Sequence, residues 1–290
     1  MRKILSVIGS LCMSGLLFTN LAYAEDWPPY ISKDELPDAV KYLPPPPNVS
    51  SEAFKADVYY YNWGKENRKT PRGELAKKDA VISTAHIAEV FSEPMGIEIS
   101  KAKTPKLYEL IGRAGDTAMS ATKSAKKHHG RTRPYVQFKE ASLCPEDEPS
   151  QNPNASYPSG HSTMGWSVAL ILVEINPEAQ DAILKRGYEF GESRVIVGAH
   201  YESDVNMARL VASAAVARIH ADPEFMRDLA AARDEFISVK TGQTQKVNTG
   251  QTQKVKTSQP PKRPQDNIIK TSNKQKQRKV DPGESIGMTN

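Results

Sequence analysis

An all-α bundle is the fold class this sequence predicts, and three observations carry it. Apolar residues recur at three- and four-residue spacing through 75–91, 105–127, 161–175, 177–190, from 195 past 204, and 222–239. Proline stands where several of these patterns begin, the first-turn position where its missing N–H costs nothing. No series of β-branched runs bounded by turn signals exists. Val58-Tyr59-Tyr60-Tyr61 is the one strand-like run, and it is short.

Taken in order, the chain begins with Met1-Arg2-Lys3, a mostly apolar stretch from Ile4 to Phe18, and Ala22-Tyr23-Ala24. That is the layout of a cleaved secretory signal, so residues 1–24 are expected to be removed and the mature chain to start at Glu25. No later stretch is long and apolar enough for a transmembrane anchor. The most apolar, 165–175, is interrupted by Ser167 and Glu174. A soluble protein in the periplasm or outside the cell is expected. Residues 25–55 are proline-rich, with Pro44 to Pro47 following Leu43, and predict an extended lead-in along a surface. The helical patterns then run to residue 239, broken at 135–157 by a loop composition of Pro145, Asp147, Pro149, Asn152, Pro153 and Asn154. With no internal duplication in this part, one sizeable domain over 25–239 is expected.

After Lys240 the character changes. Thr241 to Val247 recurs as Thr249 to Val255, followed by Pro260-Pro261 and a Lys/Gln/Asn-rich stretch. Too few apolar groups remain to offset ordering entropy, so 240–290 is expected to be a disordered basic tail. The net charge of +5 is accordingly uneven: eleven Lys/Arg against three Asp/Glu give the tail +8, and the domain is mildly acidic. Such a tail suits weak, salt-sensitive contact with anionic surfaces and implies no specific nucleic-acid partner. Of the two cysteines, Cys12 leaves with the signal, and Cys144 stands alone.

Three fragments carry the chemistry. Lys126 and Arg133 are seven residues apart and would share a face if one helix ran through both. Pro158-Ser159-Gly160-His161 opens an apolar helix, where unpaired N–H groups form an anion site and His161 stands at the mouth. His200 and Asp204 are four apart, a spacing that lets the carboxylate fix one imidazole nitrogen and leave the other as a lone pair. Arg194 lies six residues earlier, after Gly191 as the expected helix break. Each fragment alone has an ordinary reading: a basic helix end that includes Arg131 and His128-His129, a capped helix start, a surface His–Asp pair. His86 and His220 read as structural. No cysteine or carboxylate lies at metal-ligand spacing from His128-His129, so no cofactor is expected.

Lys-x6-Arg-Pro, then Pro-Ser-Gly-His, then Ser-Arg-x5-His-x3-Asp, in that order, resembles the type 2 phosphatidic acid phosphatase superfamily, which also holds the vanadium haloperoxidases. Leu43 to Pro47 and the stretches 171–177 and 183–192 further resemble the secreted bacterial class A non-specific acid phosphatases and a related periplasmic apyrase. The likeness covers about 43–225 and not the tail. It implies an all-α fold and metal-independent hydrolysis of phosphomonoesters. His200 would be the nucleophile forming a phosphohistidine, Asp204 its orienting group, and His161 the acid and later the base. Lys126, Arg133, Arg194, Ser159 and Gly160 would hold the phosphoryl oxygens. Three fixed cations suit a reaction that is mostly positioning and charge stabilisation.

The resemblance also implies departures. Relatives usually carry a cysteine where this chain has Val197, paired with the one at Cys144, and a tryptophan where it has Tyr201, expected at the substrate rim. Relatives are often homo-oligomers; the residues give no independent signal of this. The substrates implied are small phosphate esters or nucleotides. Alternatives are an apyrase acting on nucleoside tri- and diphosphates, a vanadium haloperoxidase, and a non-catalytic surface-binding protein.

Overall fold

A computed structural model describes residues 27–242, and every structural statement below concerns them. The expected signal peptide, residues 1–24, and all but the first residues of the expected tail lie outside the described residues. Eleven α-helices and no strand are found among those described: α1 (Ala39–Tyr42), α2 (Glu52–Asn67), α3 (Pro71–Lys78), α4 (Thr84–Met95), α5 (Pro105–Ser120), α6 (Lys123–His129), α7 (Pro134–Gln137), α8 (Gly160–Ile175), α9 (Gln180–Val197), α10 (Glu202–Ile219) and α11 (Pro223–Lys240). Side-chain caps fix many starts. Ser51, Thr70, Ser83, Ser159 and Asp222 each accept a first-turn N–H, and proline follows the cap of α3, α5, α7 and α11.

α8 is the centre. It is apolar nearly all round, as a helix enclosed by others must be, and packs against α9, α10 and α5, with α11 closing over α5. Val168, Ala169, Ile171 and Leu172 are fully buried there. α9 approaches so closely that a Cβ on Gly187 would stand 2.6 Å from Ala169 Cβ, and one on Gly165 2.4 Å from the Phe190 ring. The proline-rich lead-in packs on the bundle as expected, burying Tyr30, Ile31, Leu36, Ala39 and Leu43, and the Tyr157 hydroxyl donates to the Pro44 carbonyl at 2.6 Å. No helix among the described residues is long and apolar enough to cross a membrane.

Several local expectations are corrected. The strand-like run 58–61 lies inside α2, because the Ser51 cap starts a helix whose inward face is Phe54, Asp57, Tyr61 and Gly64 at three- and four-residue spacing. The pattern over 75–91 is two helices separated at 79–83, and that over 105–127 is α5 and α6 with a break after Ser120. The loop composition at 135–157 contains the end of α7 and a 3₁₀ turn over Pro145–Ser150.

The break near the third motif falls elsewhere too. Gly191 is inside α9, where it lets Val205 and Ser162 approach, and Gly198 ends the helix at φ +83°. Arg68 closes the C-terminal end of α9, its Nε donating to the Ile196 carbonyl at 2.9 Å.

Candidate active site

Four segments converge on the N-terminal end of α8. α6 brings Lys126, and its connection to α7 brings Arg133. The cap and first turn of α8 bring Ser159, Gly160 and His161. The last turn of α9 brings Arg194, and the turn into α10 brings His200 and Asp204. All eight residues singled out from sequence gather here, though two of the three fragments do so by a different route than the spacing suggested. Gly130, left-handed at φ +55°, ends α6, so Lys126 and Arg133 meet through a loop rather than along one helix face. His200 precedes α10. Both Ala199 N–H (3.1 Å) and His200 N–H (3.3 Å) donate to the Arg194 carbonyl, folding the nucleophile candidate back against the arginine.

Lys126 and Arg133 are held by carbonyls, not carboxylates. Lys126 Nζ donates to the Ala155 carbonyl at 2.6 Å. Arg133 donates from Nε to Asn152 (2.9 Å) and from Nη1 to Ala199 (3.0 Å). Arg194, 1% exposed, has Nε and Nη1 buried with no hydrogen-bond partner. Burial and the neighbouring cations bring Lys126 down to about 7, with Arg133 the chief neighbour, and Arg194 down to about 10. Three mutually repelling cations with unpartnered donors make a site for an anion with several oxygens. The helix end contributes as well. Ser159 Oγ accepts from Ser162 N–H (3.3 Å) and Ser162 Oγ (2.9 Å), which leaves its own hydrogen to donate. The N–H groups of Gly160 and His161, in the first turn, have no intrahelical acceptor.

The two histidines are in defined tautomers. Arg133 Nη1, which can only donate, lies 3.0 Å from His200 Nε2, so that nitrogen carries the lone pair and Nδ1 the proton. Nδ1 stands 3.5 Å from Asp204 Oδ2, an ion-pair distance without hydrogen-bond geometry. The Asp204 oxygens are otherwise engaged: Oδ1 by Arg131, and Oδ2 by Ser156 Oγ (2.6 Å) and Tyr201 N–H (2.9 Å). His161 Nε2 donates to the Ala80 carbonyl at 3.0 Å, which turns Nδ1 to the pocket. Burial first, then Arg194 for His161 and Arg133 for His200, push both imidazoles well below their ordinary range.

Sequence reasoning passed over the supports behind these groups. Arg131 read as part of a basic helix end, and Asp57 as nothing; both lie buried behind Asp204. Ala80 acts through its backbone, which no motif encodes. Its neighbour Asp79 receives Arg186 and Ser193 Oγ (2.6 Å), so Ser193 of the third motif ties α9 to this loop. Tyr201 is 2% exposed beneath Arg131 and between Phe54 and Phe138, packed behind the site and not at its rim. His86 faces Glu89 and Asp79, and His220 pairs with Glu174 at 2.8 Å. Among the described residues no group of three or more His, Cys, Asp or Glu is placed to hold a metal ion.

Residues 114–225 match the PAP2 superfamily. The chain is 45% identical over 212 residues to a non-specific acid phosphatase of Providencia stuartii, covering 73% of this chain and 86% of that protein. The chain belongs to the non-specific acid phosphatases of the PAP2 superfamily. It is also 38% identical over 221 residues to the non-specific acid phosphatase of Salmonella typhimurium, covering 76% of this chain and 88% of that one. Against an acid phosphatase of Zymomonas mobilis it is 34% identical over 237 residues, covering 82% and 90%. These matches bear out the resemblance drawn from the three fragments and agree with the helical fold. The family's matched segment spans every site residue from Lys126 to Asp204.

Proposed function

We propose that the protein is a secreted acid phosphatase that hydrolyses phosphomonoesters through a phosphohistidine, without a metal ion. The observation that carries this is the cation trio of Lys126 and Arg133, held by carbonyls, and buried Arg194, two of whose guanidinium nitrogens lack partners, facing a histidine with its lone pair on Nε2. Bound phosphate oxygens would take up those donors and draw Arg133 off His200. His200 Nε2 then attacks phosphorus as the ester P–O bond breaks, and His161 Nδ1 delivers its proton to the leaving oxygen. Water next attacks phosphorus and gives its proton to His161; the P–N bond breaks, and orthophosphate leaves. The cations and the α8 terminus stabilise charge on the three equatorial oxygens throughout.

The depressed pKa values of both histidines support an acidic working range, since one must be neutral and the other protonated. The names of the relatives favour monoester hydrolysis over the apyrase, haloperoxidase and non-catalytic alternatives. The test is partitioning. With a series of monoesters and an added alcohol, one phosphohistidine gives the same ratio of transfer to hydrolysis for every leaving group, with or without EDTA. A ratio that follows the leaving group, or activity lost to EDTA, contradicts the reading. N-terminal sequencing of exported protein is expected to begin at Glu25.

A further inference from the structure

Behind the site lies a closed ionic cluster that the reaction above does not use. Arg131 is 9% exposed, Asp57 2% and Asp204 0%. Arg131 Nη1 donates to Asp204 Oδ1 and to Ser203 Oγ (2.7 Å), and Nη2 donates to Asp57 Oδ2 at 2.7 Å. Its guanidinium lies 4.1 Å over the Tyr201 ring. The residue holds Asp204 a second way: its carbonyl accepts from Ser156 N–H at 3.0 Å, and Ser156 Oγ donates to the other Asp204 oxygen. Asp57, on α2, accepts from Ser203 N–H (2.9 Å) and Ser203 Oγ (2.7 Å) and so fixes the first turn of α10.

This arginine therefore differs in kind from Arg133 and Arg194. Those two face the pocket with no carboxylate at hydrogen-bond distance. Arg131 is paired with two carboxylates and turned away from it. We infer that Arg131, anchored by Asp57, is a positioning residue for His200, pinning the Asp204 carboxylate and sharing its charge. The inference rests on the phosphohistidine reading. With both oxygens occupied, Asp204 is a weak acceptor for the Nδ1 proton, which stays on the imidazole while Nε2 attacks.

The groups facing His200 are Arg133 at Nε2, Lys126 and Arg194 from the other walls, His161 across the pocket, and Asp204 behind. Of these, Asp204 is the one whose charge Arg131 and Asp57 govern from opposite sides. Arg131→Gln frees negative charge at Asp204, favours protonated His200 and moves the acid limb of kcat/KM to higher pH. Asp57→Asn leaves Arg131 wholly to Asp204 and moves that limb to lower pH. Each shift is roughly 0.5–1 pH unit for one charge in a partly screened interior.

The experiment measures pH profiles of kcat and KM for Arg131→Gln, Arg131→Lys and Asp57→Asn, normalised to folded protein by circular dichroism. Arg131→Gln is expected to lose about 10- to 100-fold in kcat, as for displaced catalytic groups, with KM changed far less. Arg131→Lys restores the charge but cannot span both carboxylates, so its acid limb returns towards wild type with kcat only partly recovered. If Arg131→Gln does not fold, the Lys and Asp57→Asn profiles decide. Limbs that coincide with wild type, or that move the same way in the Gln and Asn variants, overturn the inference and leave a structural cluster. His200→Ala serves as the control. Inactive His200→Ala with coincident limbs removes the Arg131 inference alone, whereas active His200→Ala removes this inference and the phosphohistidine reading together.

Discussion

His200 and His161 meet the same pocket from two walls, and the structure holds them by different means. Behind His200 stand side chains: Asp204, then Arg131, then Asp57, with Ser156 and Ser203 filling the remaining hydrogen bonds. Behind His161 stands one backbone carbonyl, that of Ala80, on a loop whose neighbour Asp79 is fixed by Arg186 and Ser193. The first support can be removed by changing a side chain, and the second cannot. The difference matches the proposed roles. A nucleophile that becomes positively charged on phosphorylation needs a carboxylate behind it; a group that gives a proton and takes one back needs only its ring fixed.

The comparison can be broken at its strongest point first. Asp204→Asn is expected to cost up to about 10⁴-fold in kcat through loss of the negative charge that stabilises the phosphorylated, cationic imidazole, a magnitude like that of the same change in a serine protease triad. Steady-state kinetics on folded variant check it. His161→Ala is expected to cost less, about 10²- to 10⁴-fold. Its deficit should shrink for aryl phosphates, whose leaving groups need little protonation, and stay large for alkyl phosphates. A deficit independent of the leaving group would remove His161 as the acid.

The cations that serve both histidines offer a gentler probe. Lys126 is brought down to about 7 by burial and by Arg133, so the free pocket holds its full positive charge only below that pH. Orthophosphate is therefore expected to inhibit more tightly below pH 7 than above it. At 100 times its dissociation constant it should add about 2.7 kcal/mol of stability, or roughly 5–10 °C in Tm. The histidines set the sign of the acid-side response without ligand. Their folded pKa values lie below the ordinary value of about 6.5, so the unfolded chain binds more protons there. Stability of the free enzyme is expected to fall as pH drops through and below that value, and phosphate should lessen the fall.

A last expected effect, on stability and not on turnover, lies between the two supports. Cys144 and Val197 share a small buried cluster with Ala80, whose carbonyl holds His161, and Ala199, beside His200. Cys144 is a free, buried thiol there. Val197→Cys should allow the bridge that the family resemblance implies, adding about 2–4 kcal/mol. Non-reducing thermal melts and thiol titration check this; a gain of one free thiol without stabilisation contradicts it.

How much of this was legible in the sequence follows from how local each signal is. The cap and apolar run of α8 are contiguous, so Ser159, Gly160 and His161 were read in place. α11 was equally plain, with Asp222 capping and Pro223 starting it. Val58 to Tyr61 misled because local β preference competes with a helix face set by Phe54, Asp57, Tyr61 and Gly64. Gly191 and Gly198 look alike in sequence, but only the second has left-handed backbone; the first is a packing contact. Asp57 and Arg131 meet across 74 residues of chain, and Ala80 and His161 across 81, distances over which spacing carries no information.

The central claim is that His200, supported from behind by side chains, is the group that becomes phosphorylated. Rapid alkaline quench of the enzyme with ³²P-labelled substrate tests it most directly. Label that is stable in base and labile in acid is expected on wild type and on His161→Ala, where an aryl phosphate can still load the nucleophile, and none on His200→Ala. Label retained by His200→Ala, or absent from wild type under single-turnover conditions, would contradict the account.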